Sequence, residues 1–290
     1  MTAVAAGPLV PAHGLDRLAL NTATTKRWTL EEAADGCVRA GIPGIGLWRD
    51  RVQEIGAAKA ATILRDRGLT VTSLCRGGFF TATGPDARRA AREDNRRAVE
   101  EAATVGTDVL VLVCGGLPAG SRDLPAARAA VTEAIADLAP YAREHHVKLA
   151  IEPLHPMFCA DRAVVSTLGQ ALDMADDIGA PHVGVVVDTY HVWWDPRLYE
   201  QIARAGSTSR LFAFQVCDWV LPLPEDALLG RGHVGDGYID IPAIAGAVLE
   251  AGYRGLVEVE IFNQRIWDTP GDRTLELMAA RHRALLAPLL

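Results

Sequence analysis

Four oxygen-bearing side chains follow successive hydrophobic runs in the second half of the chain. They are Glu152 in IEPLH, Asp188 in VDTYH, Gln215 in FQVCD and Glu260 in VEVEIF. Three of the four are carboxylates, which would repel one another and lose hydration if they were buried together. A divalent cation between them removes both costs. This set of hard oxygen ligands favours Mn²⁺, with Mg²⁺ and Co²⁺ as alternatives, over a metal that prefers thiolates.

Each of these residues also has an ordinary structural explanation. A single carboxylate at the end of a strand is commonly an ion-pair partner or the N-cap of the next helix, and a glutamine there is an unremarkable polar residue. Glu258 is expected on the same side of the same strand as Glu260 and can take its place if the register is shifted. The repetition over four successive runs is what favours a metal site.

Two histidines are placed to act on protons beside these carboxylates. His155 and His191 each lie three residues after one of them, and histidine titrates near neutral pH. His155 precedes Pro156, so a capping role is an equal alternative for it. Four other histidines are expected at the surface, namely His145, His146, His182 and His282.

Short β-rich runs alternate eight times with longer segments of helical spacing. The predicted strands are 16–24, 44–50, 70–81, 107–116, 148–155, 183–191, 210–218 and 255–262. The first predicted helix begins after Thr29, and the others cover 53–68, 86–105, 124–145, 166–179, 197–205, 241–252 and 271–287. A long loop precedes the helix at 241. Its glycine-rich part, 230–240, fits no phosphate-binding spacing and is expected to form a lid, with His233 and Asp236 as weaker site candidates.

This alternation predicts an α/β fold of one domain, a closed (β/α)8 TIM barrel over residues 15–290. Nearly continuous apolar strands such as VLVLV and VGVVV are typical of a parallel sheet covered by helices. A doubly wound open sheet is the alternative, but it would bring a glycine fingerprint after the first strand, where this chain has LNTAT. Residues 1–14 are expected to be a disordered lead-in. In such a barrel the carboxyl ends of the strands carry the active site, which places the four oxygen-bearing side chains together.

Composition excludes several classes of function. The chain of 290 residues is 49% hydrophobic and has a formal net charge of −7, which argues against binding to nucleic acid. No apolar run reaches the roughly 18 residues that would span a bilayer. The five cysteines are scattered singly, so they are expected to be reduced thiols in the cytoplasm.

The stretch from IEPLH to VDTYHVWWD, followed by FQVCDW, GRGH and VEVEIF, resembles the xylose-isomerase-like TIM-barrel superfamily of sugar isomerases and epimerases, nearest to its inosose isomerase and ketose 3-epimerase branch. The resemblance implies one divalent metal held by Glu152, Asp188, Gln215 and Glu260. It further implies that Glu152 and Glu260 form the acid/base pair, and that His191 and Arg231 contact the substrate. The family usually has histidine where this chain has Gln215, which weakens zinc binding more than manganese binding.

The function implied is α-proton abstraction from a ketose or keto-cyclitol through a metal-stabilised enediolate. The alternative within the superfamily is a lyase that eliminates the aglycone of a 3-keto C-glycoside, as in the metal-binding subunit of C-glycoside deglycosidases. A non-catalytic sugar-binding barrel is a third reading, and a DNA-repair branch is disfavoured by the acidic charge. Four aromatic residues are candidates to stack on the substrate, or else to pack loops at the rim: Trp48, Phe79, Trp193 and Trp219. A homo-oligomer or a small second subunit is left open.

Overall fold

The computed structural model describes residues 14–290, which form a closed barrel of eight parallel strands. The barrel strands are β1 (Leu18–Asn21), β2 (Gly44–Trp48), β3 (Thr70–Gly78), β4 (Val109–Val113), β5 (Lys148–Glu152), β6 (Val183–Asp188), β7 (Leu211–Val216) and β10 (Val257–Val259). Their order around the barrel is β1-β10-β7-β6-β5-β4-β3-β2. The predicted fold class is therefore confirmed.

Helices follow the barrel strands and cover their outer side. They are α1 (Leu30–Ala40), α2 (Arg49–Gln53), α3 (Ala57–Asp66), α4 (Pro85–Val105), α5 (Leu124–Glu144), α6 (Leu168–Ile178), α7 (Thr189–Val192), α8 (Leu198–Ser207), α9 (Ile241–Glu250), α10 (Gln264–Trp267) and α11 (Gly271–Leu285). The predicted helix over 53–68 is two helices, α2 and α3, because Gly56 interrupts it with a φ of 84°. The other predicted helices agree with the structure to within a few residues.

Local signals explain where the first helix begins and ends. The Thr29 side chain accepts a hydrogen bond from the backbone N–H of Glu32, and the Glu32 side chain accepts one from the backbone N–H of Thr29. This capping box satisfies two amides at the start of α1. At the other end Gly41 adopts the left-handed conformation, with a φ of 69°, that a C-cap favours.

Side chains alternate between the barrel interior and the helix layer along each strand. A small apolar layer fills the interior, formed by Cys75, Val109, Val111, Ala150, Val186 and Ala213. Glu152, Asp188 and Gln215 each lie two residues beyond a member of this layer, so they enter the interior one layer nearer the carboxyl ends of the strands. The strand alternation thus places these polar groups directly above an apolar floor.

The long loop expected before α9 contains a short antiparallel hairpin that the sequence pattern does not reveal. Its strands are β8 (Asp218–Trp219) and β9 (Arg231–Gly232), with Trp219 paired to Arg231. The buried Asp218 carboxylate accepts hydrogen bonds from the backbone N–H groups of Gly235, Gly237 and Ile239, at 2.9–3.0 Å. Asp218 therefore holds the predicted lid segment against the barrel.

Two other expectations about the chain have different outcomes. The predicted lead-in, residues 1–14, lies outside the described residues except for Gly14 and stays a prediction. His282 was expected at the surface, and that is wrong, because α11 packs its side chain into the core with only 2% exposed.

Within the described residues, none of the helices combines the length and the apolar character needed to cross a membrane.

Candidate active site

The carboxyl ends of β5 and β6 bring the first two predicted ligands together with a histidine. Glu152 and Asp188 are the last residues of these strands, and His191 lies in the one-turn helix α7 that follows β6. One ligand atom of each lies within 4.8 Å of the others, and all three residues are buried. This group can hold a metal ion. The sequence assigned His191 to the substrate, whereas the geometry also makes it a candidate ligand.

Glu152 is the least compensated carboxylate of the site. Among the residues that the structure describes, no donor lies within hydrogen-bonding distance of its side-chain oxygens. Burial raises the pKa of Glu152 well above its usual range, and the neighbouring charges of Asp188 and Glu260 raise it further. A group in this position is stabilised either by a proton or by a cation.

Asp188 and Glu260 share a buried guanidinium. Arg231 on β9 places Nη1 3.1 Å from Asp188 Oδ2 and 3.0 Å from Glu260 Oε2. Its side chain is almost fully buried, and it lies against the rings of Tyr190 and Phe262, with centroids 4.7 and 4.9 Å away. Arg231, predicted to contact the substrate, therefore also neutralises part of the negative charge of the site.

Glu260 lies opposite this arginine and is held by a second donor. Trp48 Nε1 donates to Glu260 Oε1 at 2.9 Å. Burial raises the pKa of Glu260 to about 7, although Arg231 and the hydrogen bond from Trp48 act in the opposite direction. Trp48 was predicted as a substrate contact, and in the structure its indole orients a predicted acid/base group.

Gln215 occupies the position where the sequence predicts an amide ligand. Its Nε2 donates to Glu258 Oε1 at 2.9 Å. Its Oε1 is buried and, among the described residues, has no hydrogen-bond partner. Glu258 points into the barrel interior, as expected, but its carboxylate is held by hydrogen bonds from Gln215, Asn21 and Ser73. Glu258 therefore does not take the place of Glu260.

The two histidines lie next to each other above the carboxylates. His191 Nδ1 lies 3.2 Å from the backbone N–H of His155, and its Nε2 lies 2.9 Å from Arg231 Nη2. Burial, reinforced by the charge of Arg231, lowers the pKa of His191 well below its usual value. The side chain of His155 accepts a hydrogen bond from the backbone N–H of Met157, the capping role given as an alternative, and burial lowers its pKa as well.

The aromatic candidates divide into packed and exposed residues. Trp219 stacks on Tyr190 with ring centroids 4.7 Å apart and lies 5.0 Å from the His155 ring, while Trp193 lies 5.7 Å from Trp219. Phe79, just beyond β3, leaves 38% of its surface exposed. The two tryptophans pack the rim beside the site, whereas Phe79 is exposed and carries the Arg76 guanidinium over its ring at 4.0 Å.

The donor set fits a hard divalent cation. The donors that lie close together are Glu152, Asp188 and His191, and Glu260 is not part of this group. The buried Gln215 Oε1, which has no partner among the described residues, offers a neutral oxygen. An orphaned buried acceptor costs free energy unless a donor or a cation satisfies it. Glu152, Asp188 and His191 are therefore chemically suited to a divalent metal, and the roles of Gln215 and Glu260 as ligands stay predictions.

Two contributors to this region were not found from the sequence. Glu258 was considered only as a substitute for Glu260, and Arg76 was not considered. The pairing of β3 with β4 skips Arg76, because Cys75 pairs with Val111 and Gly77 with Leu112, and such a bulge re-aims a side chain. The sequence signal for Arg76 was an arginine inside an otherwise apolar strand.

His233 and Asp236, the weaker candidates, line a separate cavity with Asn263 and Arg265.

Residues 34–284 match the model of the xylose isomerase-like TIM barrel family. The chain belongs to this family. The resemblance found in the sequence is thus confirmed. A crystal structure of protein SMc04130 from Sinorhizobium meliloti 1021 is 49% identical, with a TM-score of 0.91 over 93% of this chain and 98% of that one. The IOLI protein, crystallised with a zinc atom, is 18% identical and superposes with a TM-score of 0.80 over 94% of this chain and 99% of that one.

Curated members of the family carry enzyme names. Inosose isomerase from Bacillus velezensis is 26% identical over 151 residues, which are 50% of this chain and 50% of that protein. The chain thus spans about half the length of the inosose isomerases that it matches. 3-Dehydroshikimate dehydratase from Pseudomonas aeruginosa is 27% identical over 246 residues, 81% of this chain and 36% of that protein. The two names are those of an isomerase and of a dehydratase.

Proposed function

We propose that this barrel is a divalent-metal-dependent isomerase or epimerase that moves a proton next to the carbonyl of a ketose or keto-cyclitol. The observation that carries the proposal is the Glu152 carboxylate, buried beside Asp188 and without a hydrogen-bond donor from the described chain. An uncompensated carboxylate at the mouth of a TIM barrel is a natural proton acceptor. The names of the isomerase relatives support the same reaction class.

The proposed ligands are Glu152, Asp188, Gln215 and Glu260. His191 is the alternative donor, because it lies in one group with Glu152 and Asp188. A bound divalent cation polarises the substrate carbonyl and stabilises the negative charge that forms on its oxygen. The hard oxygen set supports Mn²⁺, or else Mg²⁺ or Co²⁺.

The proton transfer is assigned to the two glutamates that flank the site. Glu152 removes the proton from the α-carbon, and the electron pair of the C–H bond moves into the bond to the carbonyl carbon. Glu260 returns a proton to the opposite face of that carbon or to the neighbouring carbon. Arg231 and Trp48 hold Glu260 in place. We assign binding of a substrate hydroxyl to His155, because both ring nitrogens of His191 lie within hydrogen-bonding distance of the His155 backbone N–H and of Arg231.

Dehydration is a second candidate, supported by one relative and one residue. The match to 3-dehydroshikimate dehydratase covers most of this chain. In a dehydration Glu152 takes the same α-proton, and the electron pair then expels the β-hydroxyl, which receives a proton from Glu260 and leaves as water. Arg76, near the carboxyl end of β3, supports an anionic substrate for such a reaction. Its guanidinium forms no ion pair in the described part of the chain, although the charge of Asp94 acts on it, and it lies over the Phe79 ring at 4.0 Å. The free, mostly buried thiols support a reducing compartment such as the cytoplasm.

Deuterium exchange tests the proposal directly. Manganese-loaded protein in D₂O is followed by NMR with ketohexoses, inososes, 3-keto glucosides and a hydroxylated keto acid. We expect exchange at one carbon of a ketose or inosose, and loss of about 10³-fold in its rate in Glu152→Gln, since acid–base groups contribute about 10²–10⁴-fold. Glu133→Gln, an exposed glutamate on α5, is the matched control.

The outcomes separate the candidate functions. Loss of water from the keto acid selects the dehydratase, and release of an aglycone selects the other lyase. If Glu152→Gln exchanges as fast as the parent, the assignment of the base is wrong. Absence of exchange from every substrate, in protein shown to hold manganese, would instead favour the non-catalytic sugar-binding barrel.

A further inference from the structure

Gln215 and Glu258 are neighbours on adjacent strands. Glu258 of β10 and Gln215 of β7 are aligned in the parallel register, and both side chains point into the barrel. Aligned residues on the same face of two paired strands lie in contact, so this pair follows from the register itself. Gln215 contributes to the proposed metal site, whereas Glu258 lies below it.

Glu258 sits in a cradle built to hold a carboxylate. Its Oε1 accepts hydrogen bonds from Asn21 Nδ2 at 2.6 Å and from Gln215 Nε2 at 2.9 Å, and its Oε2 accepts from Ser73 Oγ at 2.9 Å and from Thr72 Oγ1. A Cβ added at Gly46 would lie 2.3 Å from the Glu258 carboxyl group, so the glycine leaves the room that this side chain needs. Four donors and a glycine thus fix the position of one buried acceptor.

A carboxylate only accepts hydrogen bonds, and this property decides the orientation of the Gln215 amide. An amide carries a donor nitrogen on one side and an acceptor oxygen on the other. Since Glu258 occupies one side, the nitrogen must face it, because the reversed amide would bring two acceptor oxygens together. The oxygen is then left on the far side, where it is buried and unpartnered.

We propose that Glu258 is a positioning residue that turns the Gln215 Oε1 atom toward the metal site and so provides a neutral oxygen ligand there. This inference rests on the proposed function, since it requires that the site binds a divalent cation. The inference explains how Gln215 can act as a metal ligand at a position where the family usually has histidine. A partner below a ligand commonly fixes its orientation, and loss of such a partner typically costs about 10–100-fold in metal affinity.

A double-mutant cycle on the full-length, metal-free protein tests the positioning role without measuring activity. Manganese binding is titrated by the electron paramagnetic resonance signal of free Mn²⁺ in the parent, Glu258→Gln, Gln215→Ala and the double variant. Glutamine at 258 has almost the same shape but both accepts and donates, so the Gln215 amide is no longer held one way. We expect the manganese Kd of Glu258→Gln to rise about 10-fold or more.

The same change in the Gln215→Ala background should alter the Kd by less than about 3-fold, because Glu258 then has no amide to orient. Ser73→Ala is the matched control. It removes one hydrogen bond from Glu258 without touching Gln215, so it should leave the manganese Kd within about 2-fold of the parent. Circular dichroism melting of each metal-free variant shows whether it is folded.

Three results would overturn the inference. In the first, Glu258→Gln binds manganese with the same Kd as the parent. In the second, Glu258→Gln raises the Kd by the same factor in the parent and in the Gln215→Ala background. In either case the parent still binds manganese, so the proposed function survives. In the third, the parent itself binds no divalent metal, and then both the inference and the proposed metal-dependent function are wrong.

A second variant covers the case in which Glu258→Gln does not fold. Gln215→His keeps a donor for Glu258 and turns a ring nitrogen toward the metal. Zinc affinity, measured by competition with a chromophoric chelator, should then rise about 10-fold relative to manganese affinity, because imidazole favours zinc. An unchanged ratio would show that residue 215 does not reach the metal, which is contrary to the inference.

Discussion

At the scale of single residues, Arg76 offers the sharpest test of substrate charge. It is partly buried at the end of β3, and its guanidinium contacts the Phe79 ring rather than a carboxylate of the described chain. A desolvated guanidinium binds a carboxylate or phosphate strongly. We predict that Arg76→Gln raises the KM of an anionic substrate about 10- to 100-fold, because it removes a charge-assisted hydrogen bond, and leaves the KM of a neutral ketose unchanged.

Steady-state kinetics with one anionic and one neutral substrate measures this difference. Arg96→Gln, an exposed arginine on α4, serves as the control. Equal effects of Arg76→Gln on both substrates would mean that Arg76 supports the local structure and does not recognise charge.

At the scale of elements, helix α11 carries a titratable group into the core. His282 is buried, its Nδ1 has no partner among the described residues, and burial lowers its pKa to about 4. Between about pH 6.5 and pH 4 the unfolded chain binds a proton there that the folded chain excludes. Stability should therefore fall as the pH falls through this window, by about 3 kcal/mol from this residue over the whole window and by about 2 kcal/mol between pH 7 and pH 5.

We predict that the free energy of unfolding of His282→Leu falls less between pH 7 and pH 5 than that of the parent. Urea unfolding at pH 7 and pH 5 gives the free energy of unfolding of each protein, and the difference between the two pH values should be smaller in the variant. His145→Gln at the end of α5 is the control. An equal difference in the parent and in His282→Leu would show that α11 does not exclude the proton.

At the scale of the whole molecule, the proposed metal joins the ends of β5, β6, β7 and β10. A ligand that binds only the folded barrel raises its free energy of unfolding by about 2.7 kcal/mol at 100 times its Kd. We predict that saturating Mn²⁺ raises the Tm of the metal-free protein by about 5 °C, since 1 kcal/mol shifts a domain of this size by about 2 °C. Differential scanning calorimetry measures the shift, and potassium chloride at the same ionic strength is the control, since K⁺ is monovalent and binds such a carboxylate site weakly.

A manganese-induced shift that persists unchanged in Asp188→Asn would place the bound ion outside the proposed site. Asn is almost the same shape as Asp but lacks the charge, so the barrel should survive the change while metal affinity falls. The experiment thus reports on the location of the ion, not only on its presence.

The alternation of eight apolar runs and eight helical segments determined the barrel. The strand period of two and the helix period of 3.6 can each be read within a short window of the sequence. Since the carboxyl ends of parallel strands meet at one face, the sequence also predicted that Glu152, Asp188, Gln215 and Glu260 would lie together. The resemblance added the role of Arg231 and the family, and the family is confirmed.

Only the tertiary structure decided contacts between residues far apart in the chain. Three such contacts are the ion pair of Arg231 with Glu260, the hydrogen bond from Trp48 to Glu260 and the hydrogen bond from Gln215 to Glu258, which join positions separated by 29, 212 and 43 residues. The burial of His282 was likewise hidden, because the packing of α11 against the barrel decides it. Local periodicity specifies which face of an element is apolar, but barrel closure and strand register determine which side chains meet.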